Sequence, residues 1–162
     1  VRIAVTLVAL ALGSPALAAE MWGKVESGMS WDQVAALYPA EKGTKHKAGK
    51  SIEVKNVAIT PDCKAEANIL FKAGAVDSVV LKGNPAVAGR CAETVYTALS
   101  SKYGQAVGGG DVEGGLFARP GKIHIWNKPP LTLRFKKFED GGDITRASWE
   151  LTYSTIGAAI GL

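Results

Sequence analysis

Two cysteines and two histidines are all the chain offers of the side chains that most often hold transition metals, and that scarcity excludes several chemistries at once. There is no C-x-x-C pair for redox exchange, and two cysteines with the distant His46 and His124 do not give zinc-site spacing. No G-x-S-x-G turn is present to raise a serine nucleophile, so a Ser-His-Asp arrangement has no obvious seat. Phosphate cradles need their glycines between a strand and a helix, where backbone N–H groups meet the anion. Here the glycine-rich stretch 104–115 follows a helical pattern and precedes a strand, so nucleotide binding is not expected. Asp111 with Glu113, and Glu139-Asp140 with Asp143, lie in glycine-rich turns and miss the ligand spacing of a calcium loop. No metal or cofactor is expected.

What is present fits a small globular protein: 162 residues, 47% hydrophobic and 21% charged, enough chain to bury one core. Residues 1–18 read as an export signal, with Arg2, an apolar run from Ile3 to Leu12, and Ala16-Leu17-Ala18 as the cleavage site. That run is about half the length a spanning helix needs, so no transmembrane segment is expected in the mature chain. Val1 fits literal translation of an alternative bacterial start codon. Residues 19–162 then form a single exported α+β domain, expected in the periplasm or secreted. Removing the signal takes away Arg2 and no acid, so net charge falls from +4 to +3.

That excess sits in one place. Residues 41–55 hold Lys42, Lys45, Lys47, Lys50 and Lys55 against Glu41 and Glu53. The stretch reads either as a solvated loop or as a weak contact, through Lys42, Lys45, Lys47 and Lys50, with an anionic surface. Cys63 and Cys91 are expected to form one disulfide, because an exported chain meets an oxidising compartment.

Ser30 followed by Gln33 is a capping box opening a helix with Val34, Leu37 and Tyr38 on one face, stopped at Pro39. Residues 51–59 alternate as a strand. Cys63, Ala65, Ala67, Ile69 and Phe71 recur at period two, and after the Ala73-Gly74 turn Val79 and Leu81 return on the next strand. A second helix is expected over 87–103, with Cys91, Val95, Ala98 and Leu99 at helical spacing and Gly104 as its stop. Loop 104–115 connects it to three strands: 122–126, 131–138 and 144–153. Helices separated by runs of hairpin-linked strands predict a two-layer α+β fold, an antiparallel sheet with helices on one face. The order αβββ-αβββ reads as a tandem repeat with halves 20–85 and 86–162.

The stretch Val25-x-x-Gly28-Met29-Ser30-x-x-Gln33-Val34-x-x-Leu37-Tyr38-Pro39 resembles repeats in the small lipoprotein of the outer-membrane β-barrel assembly machinery and β-lactamase-inhibitor-like domains. A second likeness is to exported proteins with a cysteine before a hairpin, a cysteine at a helix start, a Leu99-x-x-Lys102-Tyr103-Gly104 helix end and a final Leu151-x-Tyr153 strand. The resemblance implies a non-catalytic periplasmic protein that binds other proteins. The lipoprotein's acylated cysteine has no counterpart here.

A binding face follows from strand alternation. With Ile123 and Ile125 turned to the helices, His124 and Trp126 face away, joined by Arg134, Lys136 and Arg146. A tryptophan among arginines has the composition of interface hot spots. The other reading of the same residues packs Trp126 under Phe117 of the glycine-rich loop. The expected function is a non-catalytic binding or envelope-assembly module whose partner is another envelope protein, with no nucleic acid involved. The alternative is an exported hydrolase or transferase with an unconventional site near His124.

Overall fold

The computed structural model describes residues 18–39, 44–46, 49–61, 63–83, 88–114, 120–138 and 149–156. Residues 1–17 of the expected export signal, Lys42, Lys47, Phe117 and Arg146 lie outside the described residues.

A short hairpin opens the described chain, β1 (Glu20–Trp22) with β2 (Val25–Glu26), and leads into helix α1 (Trp31–Leu37). The capping box forms as the sequence predicts: Gln33 N–H donates to Ser30 Oγ at 3.3 Å and Ser30 N–H donates to Gln33 Oε1 at 2.8 Å. These bonds occupy two backbone donors that the helix itself cannot satisfy. Val34 is the residue that α1 buries, and Trp31 packs on Phe71.

Eight strands make the main sheet. They are β3 (Thr44–His46), β4 (Gly49–Thr60), β5 (Cys63–Lys72), β6 (Ala75–Gly83), β7 (Gly108–Val112), β8 (Gly121–Lys128), β9 (Leu131–Phe138) and β10 (Trp149–Thr155), in the order β3-β4-β5-β6-β10-β9-β8-β7. Every pairing is antiparallel. The second helix, α2 (Ala88–Tyr103), lies between β6 and β7 in the chain.

Alternation sorts the side chains. In β5 the predicted set Cys63, Ala65, Ala67, Ile69 and Phe71 is buried, and Val79 and Leu81 of β6 join it. Leu131, Leu133 and Phe135 of β9, with Trp149, Leu151 and Tyr153 of β10, complete the inner surface. Cys91, Val95 and Leu99 of α2 close over it, whereas Ala98 is exposed. The Cys63–Cys91 disulfide ties the start of β5 to α2, with Cα atoms 5.4 Å apart.

Four short strands were not expected. β1 and β2 are too brief to show a period, β3 falls within the lysine-rich stretch, and β7 lies in the stretch read as a connecting loop. Glycine is depleted in strands, so the sequence GGGDV carries no strand signal. It pairs all the same: Gly108 lies opposite Ile125 and Gly110 opposite Ile123. Gly109 has φ +138°, and a Cβ there would collide with the Ile123 carbonyl, so this position admits only glycine.

Candidate interaction face

Strand β8 corrects the expected orientation of the candidate site. Register places His124 opposite Phe135 and Trp126 opposite Leu133, both inner residues of β9. His124 and Trp126 therefore point toward the helices, and Ile123 and Ile125 point away. Alternation is as predicted; its phase is reversed. Hydrophobic residues occupy both phases of this strand, and the larger one is inside: Trp126 is fully buried. Its Nε1–H donates to the carbonyl oxygen of Gly104 at 2.8 Å, so the indole's polar atom is satisfied as its rings leave water. Trp126 is thus a core residue and not an exposed anchor.

His124 sits in an aromatic group. Its ring lies 4.5 Å from Tyr96 of α2, 6.2 Å from Trp126 and 6.4 Å from Phe135 by centroid. Desolvation holds its imidazole pKa below the ordinary histidine value, and the cations Lys122 and Lys137 act the same way, against an opposing pull from Glu93. Glu93 of α2 and Lys137 of β9 form an ion pair across the layers. An open cleft of about 550 Å³ adjoins His124, bounded by Tyr96, Gly108, Gly109, Asp111 and Lys122.

Arg134 and Lys136 stand on the opposite surface, as the sequence predicts. Cross-strand register extends that surface over the middle of the sheet. One row runs Ile125, Arg134, Thr152, Val80, Asn68, and the next runs Ile123, Lys136, Glu150, Lys82, Glu66. The second row alternates Lys136, Glu150, Lys82 and Glu66 across four strands, which places opposite charges side by side. Arg134 and Lys82 are exposed and the other members are half-buried. Lys136 Nζ lies 4.7 Å from the centre of the Phe138 ring, a cation held over an aromatic face. The sequence-predicted candidates are therefore divided between two surfaces: His124 and Trp126 on one, Arg134 and Lys136 on the other.

Sequence reasoning missed Ile123, Ile125, Val80 and Asn68 as neighbours of Arg134. The signal for the isoleucines was present in the β8 alternation and was read in the wrong phase. Val80 and Asn68 depend on the pairing of β6 with β10, which no local pattern encodes.

Among the described residues no three of His, Cys, Asp and Glu gather as a metal site, and no helix is long and apolar enough to cross a membrane. Comparison with family models, with curated proteins and with solved structures gives no match.

Proposed function

We propose that the chain is an exported, non-catalytic binding or envelope-assembly module of the periplasm, and that its protein partner docks on the sheet face centred on Arg134. The observation that carries this reading is the row Ile125, Arg134, Thr152, Val80 on the face turned away from α1 and α2. It combines half-buried aliphatic surface with an exposed guanidinium, the chemistry of a contact with a dry centre and directed hydrogen bonds. The mixed charges of Lys136, Glu150, Lys82 and Glu66 favour a partner surface of alternating sign over a polyanion such as nucleic acid.

The strand order supports a tandem-repeat reading in which the helix of each half is followed by four sheet strands, where the αβββ-αβββ expectation had three. Each half, 20–85 and 86–162, would contribute consecutive strands running inward from one edge, with β6 and β10 meeting at the centre. The resemblance to the assembly lipoprotein and to β-lactamase-inhibitor-like domains belongs with this reading. Lys45 and Lys50, opposite each other in the β3–β4 register, belong to the lysine-rich stretch that makes the weak anionic-surface contact in this reading.

The test is photo-crosslinking in the envelope from Thr152, with Arg134→Glu as the competing variant. Arg134→Glu should keep the wild-type melting temperature and lower partner affinity by about 30-fold or more, the size of a hot-spot loss. Crosslinking at Thr152 that is unchanged by Arg134→Glu would count against this face. Fractionation of the full chain, with mass analysis for cleavage after Ala18, tests export separately.

A further inference from the structure

The main sheet ends in two chemically different edges. At one end lies β3, Thr44–His46, from a lysine-rich stretch of the sequence, and lysine on an edge strand discourages added strands. At the other end β7 reads Gly-Gly-Gly-Asp-Val, with Gly108 to Asp111 all exposed. Among the described residues no strand lies beyond it. Antiparallel pairing uses the N–H and C=O of alternate residues, so half of the β7 backbone groups point away from β8. Three consecutive glycines leave those groups without side-chain cover.

The helix-side surface next to this edge is hollow. Tyr96 of α2 reaches His124 on β8, but β7 beyond it offers only Gly109 between Val107 and Asp111. The result is the open cleft of about 550 Å³. Gly109 is in register with His124 and Asp111 with Lys122, so all four share the cleft side of the sheet.

We propose that the β7 edge is a peptide-binding site that takes an extended segment of a partner protein as a ninth strand. The segment's chemistry follows from what each position lacks. An aromatic side chain opposite Gly109 would cover the bare backbone and enter the cleft beside Tyr96 and His124, as aromatic residues do across from edge glycines. A basic residue belongs opposite Asp111, since Asp111 and Glu113 are exposed and together outnumber the single cation Lys122 on the β8 side of Asp111. Val107, 68% exposed and two residues before Gly109, asks for an aliphatic partner. An antiparallel segment therefore reads basic-x-aromatic-x-aliphatic from N to C, with main-chain bonds giving affinity and alternate side chains giving specificity. This site is separate from the Arg134 face, and different residues report on each.

The experiment titrates the ¹⁵N-labelled full chain with acetyl-Thr-Lys-Thr-Trp-Thr-Val-Thr-amide. Saturable shifts are expected at Gly108 to Val112 and at Tyr96, with slowed amide exchange at alternate β7 positions. Of two peptides N-methylated at odd or at even positions, one should bind at least about tenfold more weakly, because only one set of N–H groups faces β7. Asp111→Lys should weaken the probe about fivefold, and replacing the probe's lysine with glutamate should restore it. The proposal is overturned by the absence of saturable shifts up to millimolar peptide, by shifts confined to Arg134 and Thr152, by equal binding of both N-methylated peptides, or by a dimer that already occupies β7. If Asp111→Lys fails to fold, the N-methylated pair decides alone.

Discussion

Trp126 on β8 and Gly104 at the end of α2 are joined by a hydrogen bond of 2.8 Å, from indole Nε1 to the glycine carbonyl. Gly104 has φ +82°, the left-handed conformation that ends a helix, and its N–H donates to Ser100 O at 2.9 Å. The helix stop is thus fastened to the sheet by the most buried aromatic residue of β8. Trp126→Ala should destabilise the domain by about 3–5 kcal/mol through the cavity it leaves. Trp126→Phe keeps much of the volume and lets water reach the exposed Gly104 carbonyl, so it should cost about 1–2 kcal/mol. Urea unfolding of both variants measures the difference, and a Trp126→Ala protein as stable as wild type would return this residue to the surface.

Gly83 and Trp149 make a similar pair at the centre of the sheet. A Cβ on Gly83 would lie 2.7 Å from Trp149 Cδ1, inside a rigid and fully buried ring, and Trp149 Nε1 is itself buried without a hydrogen-bond partner among the described residues. Gly83→Ala should therefore overpack the core and cost about 1–3 kcal/mol. Gly110→Ala is the control, because a Cβ there meets nothing within 4 Å and should shift stability by less than about 0.5 kcal/mol. Thermal melts of the two variants should separate clearly, and equal melting temperatures would contradict the packing of Trp149 against β6.

These pairs show why the sequence yielded the inner layer better than the site. The capping box at Ser30 and the strict alternation of β5 and β9 are local, and both formed where expected. Arg134 and Lys136 were readable for the same reason, because Leu131, Leu133 and Phe135 leave one phase for the polar residues. β8 carries Ile123 and Ile125 in one phase and Trp126 in the other, so local hydrophobicity could not choose, and the choice came from register with Phe135 and Leu133. β7 was illegible because three glycines have no side chains to show a period. Its place was set by the backbone of β8.

The disulfide links β5 to α2 across 28 positions. Closing a loop of that length restricts the unfolded chain enough to contribute roughly 3–4 kcal/mol in the chain-entropy description. The double variant Cys63→Ser with Cys91→Ser should lose about that much in guanidinium unfolding, with its β5 alternation preserved. Wild-type protein unfolded without reductant should show no titratable thiol. Two reactive thiols in that assay would contradict the bridge.

His124 gives stability a pH dependence whose sign follows from its surroundings. Its folded pKa lies below the ordinary value of 6.5, first through desolvation and then through Lys122 and Lys137, with Glu93 opposing. As pH falls through 6.5 the unfolded chain takes up its proton before the folded chain does, so the unfolded state binds more protons and gains free energy relative to the folded one. The contribution of His124 is thus fully present above 6.5 and is lost between 6.5 and its lowered folded value. Stability should decline with acidification across that window, ahead of the carboxylates. His124→Gln removes the titrating group while keeping a polar side chain beside Tyr96, and it should flatten this part of the profile. His46 remains in both proteins, so the difference between their denaturation midpoints, measured from about pH 7.5 down to 5, isolates His124. A difference that stays constant across the range would show that the imidazole is solvated and not desolvated against the ring of Tyr96, and one of opposite sign would show that the attraction of Glu93 outweighs desolvation.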